Sequence, residues 1–132
     1  LPVEEVKDLA TLVNENSEED DQILALEGLW IPLEANRETM PGMAMAQFSY
    51  YEGESSDAIQ YNLVNDEILA EAIQDKTPRI IILTDSDWKL LEKSAFYEEI
   101  SQLLLNNYTL LITKDNFGQN RDMVHIYTRK SS

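Results

Sequence analysis

Apolar residues recur along this chain at two spacings, and the switches between them outline a fold. Val3, Val6, Leu9, Ala10 and Val13 share one helical stripe with Glu4, Glu5, Lys7 and Asp8 outside it, which predicts an amphipathic helix over residues 3–16. The polar break Ser17-Glu18-Glu19-Asp20-Asp21 ends it, and Ile23-Leu24-Ala25-Leu26 is a short apolar run suited to a buried strand. Pro32, Pro41 and Gly42 mark residues 31–42 as turn. Met43 to Tyr51 reads as extended, with Met43, Met45, Gln47 and Ser49 alternating against Ala44, Ala46, Phe48 and Tyr50. A turn or two of helix fits residues 57–63. A firmer helix starts at Asn65 as N-cap, runs through Ile68, Leu69, Ala72 and Ile73 to Lys76, and is stopped by Pro78. Arg79 to Thr84 is the strongest strand, because consecutive isoleucines favour a pleated surface covered on both sides. Asp85-Ser86-Asp87 offers capping oxygens to a single long helix carrying Trp88, Leu91, Tyr97, Ile100, Leu103 and Leu104, which ends at Asn106-Asn107. Tyr108–Thr113 and Met123–Tyr127 read as strands on either side of turn chemistry at Asn116-Phe117-Gly118-Gln119-Asn120. That connection is too short for a crossover, so the pair forms an antiparallel hairpin.

Strands alternating with helices imply a mainly parallel sheet with helices on both faces. The predicted class is α/β: a small three-layer Rossmann-like domain, with a mostly parallel sheet of about five strands and the antiparallel hairpin at its C-terminal edge. Residues 1–132 read as one domain, with neither an internal repeat nor a linker to divide them. The chain opens on Leu1-Pro2 rather than Met, which is read as excision from a longer protein.

Charge and composition narrow the possible functions. Ten Lys and Arg against 25 Asp and Glu give a net charge of −15, which repels phosphate backbones and anionic headgroups and argues against nucleic-acid partners. The acids crowd between Glu4 and Asp21 with Lys7 as their only cation; they read as a solvated surface, since the spacing of a calcium-binding loop is missing. Without cysteine there are no disulfides or thiolate ligands, and His125 as the one histidine makes a His-rich metal site untenable. No metal and no cofactor is expected. Gly28, Gly42, Gly53 and Gly118 are too scattered for a phosphate-cradling loop.

A few residues remain as candidates. Asp85 ends a strand as a phosphate-accepting aspartate would, but Asp20-Asp21 precede the first strand instead of following it, so helix capping by Asp85 or Asp87 is the favoured reading. His125 points away from Val124 and Ile126, and the sequence names no Ser or acid to partner it. Glu34, Asn36 and Arg37 form a polar group that binds a carboxylate or sugar, or else anchors its own loop; anchoring is favoured. Phe48, Tyr50 and Tyr51 suit stacking on sugar rings or ordinary packing. Asn107-Tyr108-Thr109 is a glycosylation triplet of the kind that arises by chance.

The order of several segments carries a resemblance. Leu33-Glu34-Ala35-Asn36-Arg37-Glu38-Thr39-Met40-Pro41-Gly42 is followed by Phe48-Ser49-Tyr50-Tyr51, Val64-Asn65-Asp66-Glu67, and Pro78 to Thr84 with Asp85-Ser86-Asp87-Trp88. Leu105-Asn106-Asn107-Tyr108-Thr109-Leu110, Phe117-Gly118 and Ile126-Tyr127-Thr128-Arg129-Lys130 complete the series. Over residues 3–130 the chain resembles the soluble C-terminal domain of membrane glycosyltransferases of the dolichyl-phosphate-mannose–protein mannosyltransferase type. The resemblance implies a parent enzyme that moves a sugar from a polyprenyl-phosphate donor to an acceptor outside the cytoplasm. Its catalytic acids would lie in loops between membrane helices, so no catalytic residue carries over to this chain. The implied partners are the membrane-embedded part of the same parent and a glycan or protein acceptor, and the implied location is the extracytoplasmic face of a membrane. Glu34, Asn36, Arg37, Tyr50, Tyr51, Asp85 and Asp87 are the candidate substrate-binding residues. The competing readings are an assembly module using the aromatic strand as a docking edge, and a small stand-alone enzyme or sugar-binding domain.

Overall fold

A computed structural model describes residues 3–117 and 121–131. In chain order the elements are α1 (Val3–Glu15), β1 (Gln22–Ala25), a 3-10 turn (Glu27–Leu29) leading into α2 (Trp30–Glu34), β2 (Glu38–Thr39) and a second 3-10 turn (Ala46–Ser49). They continue with α3 (Ser55–Gln60), α4 (Asp66–Gln74), β3 (Ile80–Thr84), α5 (Asp85–Glu92), α6 (Tyr97–Asn107), β4 (Tyr108–Phe117) and β5 (Asp122–Arg129).

The strands form one five-stranded sheet in the order β2-β1-β3-β5-β4. β1 lies parallel to both β2 and β3, whereas β5 runs antiparallel to β3 and to β4. The mostly parallel sheet expected from the sequence is therefore correct for one end only. The β4–β5 connection is too short for the crossover a parallel pair needs, so the chain reverses there, and once β5 docks on β3 the hairpin makes that end antiparallel. β4 is bulged twice, between Leu110 and Ile112 and between Lys114 and Phe117.

Alternation along the strands builds two cores. Ile23, Ala25, Ile80, Ile82, Val124 and Ile126 face α1 (Val6, Leu9, Ala10 and Val13) together with Ile31 and Ala35. Leu24, Ile81 and Leu83 face the opposite way, toward Leu69, Ala70 and Ile73 of α4, Leu91 of α5, and Ile100 and Leu104 of α6. Every residue of β3 is buried, as its isoleucine run requires when helices cover both faces. Pro32 is accommodated in the first turn of α2, where a missing N–H leaves no helical bond unmade.

Four local expectations are corrected. Met43–Tyr51 is not a strand: Ala46 takes a left-handed φ of 54°, the Ser49 hydroxyl accepts from the Met45 N–H at 2.8 Å, and only Tyr50 bridges to another segment, at Val64. The short turn closes on itself in place of an extended pairing, which also removes the proposed docking edge. The long helix divides into α5 and α6 because Ser94 turns the chain there, its hydroxyl accepting from the Phe96 N–H at 2.8 Å. Residues 31–42, expected as turn, contain α2 and the two-residue β2. β4 continues to Phe117, and positions 118–120 of the expected turn lie outside the described residues.

Candidate functional site

Strand order reverses at β1. The chain leaves β1 toward α2 on the α1 face and leaves β3 toward α5 on the opposite face, so the carboxyl ends of these parallel neighbours flank the place where open α/β sheets hold ligands. In this fold that place is closed by protein. Gly28 is packed so tightly that an added Cβ would sit 2.8 Å from Ile82 Cγ2. Thr84 is the N-cap of α5: its hydroxyl accepts from the Asp87 N–H at 3.1 Å, and Asp87 Oδ2 accepts from the Thr84 N–H at 3.0 Å. Asp87 Oδ1 also accepts from the Glu27 N–H at 3.4 Å, which ties the end of β1 to the start of α5. Asp87 is 1% exposed; burial is the main cause that pushes its carboxyl up to about 6, with the Glu27 charge adding to it and the hydrogen bonds from Thr84 and Glu27 opposing it. The capping expected of Asp85 or Asp87 thus falls to Asp87.

Asp85 takes part in a different group. Its Oδ1 lies 2.7 Å from His125 Nε2, and the other ring nitrogen, Nδ1, lies 3.0 Å from Thr113 Oγ1. A carboxylate accepting at Nε2 selects the tautomer whose Nδ1 accepts from the Thr113 hydroxyl, so the three side chains form a Thr–His–Asp chain of hydrogen bonds. Thr113 and His125 face each other across the β4–β5 ladder, while Asp85 comes from the start of α5. Asp122, the first residue of β5, accepts from the Ser86 N–H at 2.7 Å and holds α5 against the hairpin. The arrangement can orient an imidazole and relay a proton, and none of its three side chains lines any of the three cavities described below.

Next to this chain, on the same face, Trp88 packs edge-on against Tyr97 with centroids 6.2 Å apart at 89°. Burial raises the Tyr127 phenol, the neighbouring Trp88 indole offsets part of that rise, and the Asp85 charge adds to it. A cavity of about 230 Å³ opens beside them, lined by Trp88, Tyr127, Leu104, Leu110 and Ser101 among others.

The other candidates lie in separate places. Glu34 and Asn36 are exposed, Asn36 at a left-handed φ of 56°, and Arg37 donates from Nε to Ser17 Oγ at 3.0 Å and from Nη2 to Ser17 O at 3.2 Å. Arg37 therefore anchors its loop to the end of α1. Tyr50 lines a cavity of about 320 Å³ with Glu52, Asp66 and Lys93; burial above all, then Asp66 and Glu52, pushes its phenol up to about 12. Tyr51 packs on Tyr61 at 6.0 Å. A third cavity, about 360 Å³, lies between Met40, Gly42, Ile59, Leu63 and Ile68, with Glu71 and Asp75 at its rim. The seven candidate residues do not meet in one site. Asn107 of the glycosylation triplet donates its amide to Ile73 O at 3.0 Å.

Among the described residues there is no group of three or more His, Asp and Glu placed to hold a metal ion, and no helix is long and apolar enough to cross a membrane. No family model, curated protein or solved structure matches the chain. Sequence reasoning missed the partners of His125. Thr113 becomes its neighbour only through a ladder shifted by two bulges, and a hairpin read by simple alternation does not give that register.

Proposed function

We propose that this chain is a non-catalytic, extracytoplasmic domain of a membrane glycosyltransferase that uses polyprenyl-phosphate sugars. The observation that carries the reading is the ordered series of segments from Leu33 to Lys130 that resembles such domains, together with the way those segments pack. Several motif residues serve the fold: Arg37 clamps Ser17, Gly42 holds a φ of +88° with Leu63 backbone atoms 3.0 Å from any added Cβ, Ser49 closes its turn, and Asn65 caps α4. Such a motif can recur for folding reasons in a domain whose parent keeps its reactive groups elsewhere. On this reading the β2-β1-β3 end, with helices on both faces, is the Rossmann-like half of the domain, and the hairpin is its extension. Its place is beside the membrane-embedded part of the same parent, where it supports that part or presents the acceptor.

The test is the coding sequence upstream of Leu1. A series of apolar segments, each of about 20 residues, is the expected result. A parent without them would end this reading, as would sugar transfer from a polyprenyl-phosphate donor by the isolated chain.

A further inference from the structure

We propose that the groove between the Met40–Gly42 strap, the end of α3 and the outer face of α4 docks a basic amphipathic helix of a partner protein, seating a large apolar side chain in the groove and setting Lys or Arg against Glu71 and Asp75. The groove and its charge carry this proposal, and the glycosyltransferase reading has no part in it.

The groove is apolar and its walls are fixed. Met40, Pro41, Ile59, Leu63, Ile68 and Ala72 line a space of about 360 Å³. Gly42 holds its left-handed φ with Leu63 backbone atoms 3.0 Å from any added Cβ, so the strap lies tightly on the segment after α3. That segment is tied in turn: the Leu63 N–H donates to Ala58 O at 2.8 Å and the Val64 N–H to Ser49 O at 3.0 Å. A groove held open in this way needs little ordering when it is filled. Its lip is left in water, with Ile59 68% exposed and Pro41 also exposed. Apolar lining inside a polar rim is the make-up of a protein-docking surface.

Charge selects the partner. Residues 17–75 hold 14 Asp and Glu against one cation, Arg37, and therefore carry −13 of the chain's −15. Arg37 is bound to Ser17, away from the groove. On α4, Glu67, Glu71 and Asp75 recur every four residues and form one exposed acidic row. The last turn of α4 contains no basic residue, so Glu71 and the C-cap Asp75 stand at the negative end of their own helix dipole. Lys76 follows Asp75 but lines no part of the groove, and the ion pair found among the described residues is Asp85 with His125. Repulsion along this row is therefore left for an outside cation to relieve. The row extends about 12 Å at 1.5 Å per residue, longer than one small cation can cover, whereas basic residues spaced along a helix match it. A helix laid in a groove by its apolar face, with its cations on the rim, satisfies both features. Anionic membranes and nucleic acids are repelled by the same charge.

The test is fluorescence anisotropy with the full chain and a labelled peptide of about 14 Leu and Lys residues patterned as an amphipathic helix. Saturable binding is expected at a Kd of about 10–100 μM, weakened about tenfold between about 50 and about 300 mM NaCl. Control peptides with Ser in place of Leu, or Glu in place of Lys, should bind at least tenfold more weakly. Ile59→Arg should weaken binding of the Leu–Lys peptide about tenfold or more, and Glu71→Gln combined with Asp75→Asn about fivefold. All three positions are exposed, so circular dichroism should stay native. Absence of saturable binding up to about 1 mM protein, far above the expected range, overturns the proposal. Equal binding of either control peptide overturns it as well, since charge alone or apolarity alone would then suffice. Binding unchanged in the variants places the peptide elsewhere and has the same consequence. Self-association of the chain that Ile59→Arg abolishes would give the groove to a second copy and also end the proposal.

Discussion

The two ends of the sheet are stabilised in different ways. At the β2-β1-β3 end the strands are short and the two longer ones are mainly apolar, with Ile23 to Ala25 and Ile80 to Leu83 buried between helices on both faces. At the β5-β4 end they are longer, β4 spanning 10 residues and β5 eight, and Thr109, Leu110, Thr113 and Lys114 reach solvent. The first end depends on two-sided burial; the second depends on its ladder and cross-strand pairs. Asp85, Asp87 and His125, each hydrogen-bonded to another element or cap, stand at the seam where β3 passes from one regime to the other.

The comparison makes a graded set of predictions. Ile81→Ala, in the doubly covered strand, should cost about 3–5 kcal/mol in urea unfolding, whereas Leu110→Ala at the other end should cost less than about 1 kcal/mol. Equal losses would show that the ends do not differ as described. At the seam, pH should separate Asp87 from the other acids. Its folded-state value near 6 lies above the usual 3.8, so its stabilising contribution is full below about pH 4 and is lost as pH rises through 6. The shift corresponds to about 3 kcal/mol between those limits. Asp87→Asn, which keeps a carbonyl acceptor for the Thr84 N–H, should flatten the difference in unfolding free energy between pH 4.5 and pH 7.5 relative to the parent chain; an unchanged pH slope would refute the buried ionisation. Gly42→Ala, in the strap beyond β2, should cost about 2 kcal/mol, since Ala would have to hold a left-handed φ against Leu63 backbone; a loss below about 0.5 kcal/mol would mean that the turn relaxes freely. Smallest of all, Thr113→Val should change stability by about 1 kcal/mol or less, yet it should shift the His125 Nδ1 resonance because that nitrogen loses its donor. A silent Nδ1 would break the proposed hydrogen-bond chain.

How much of this the sequence foretold depended on whether a signal was local. The stripe Val6-Leu9-Ala10-Val13, the isoleucine run of β3 and the cap at Asn65 are read from neighbouring residues, and each appears in the fold. Arg37 as an anchor was also legible, because an Arg in a loop next to Asn seeks nearby acceptors. Met43–Tyr51 misled because alternation states which residues can line two faces and says nothing about whether a neighbouring strand is free to pair; here Ser49 closes a turn first. The split between α5 and α6 turned on one serine hydroxyl in an otherwise continuous apolar stripe. The site was the least legible part. Asp85, Thr113 and His125 come from α5, β4 and β5, and they meet only after the hairpin docks antiparallel on β3 with two bulges in its register.

Those bulges have a further consequence when taken with the stub at the opposite rim. One margin of the sheet is the two-residue β2, with Glu38 exposed, and the other is β4, bent twice and bearing Lys114 outward. Neither offers a long flat row of unpaired amides on which a second molecule could extend the pleat. Molecules crowded side by side would therefore meet through side chains, and the sheet would stop growing at its own borders.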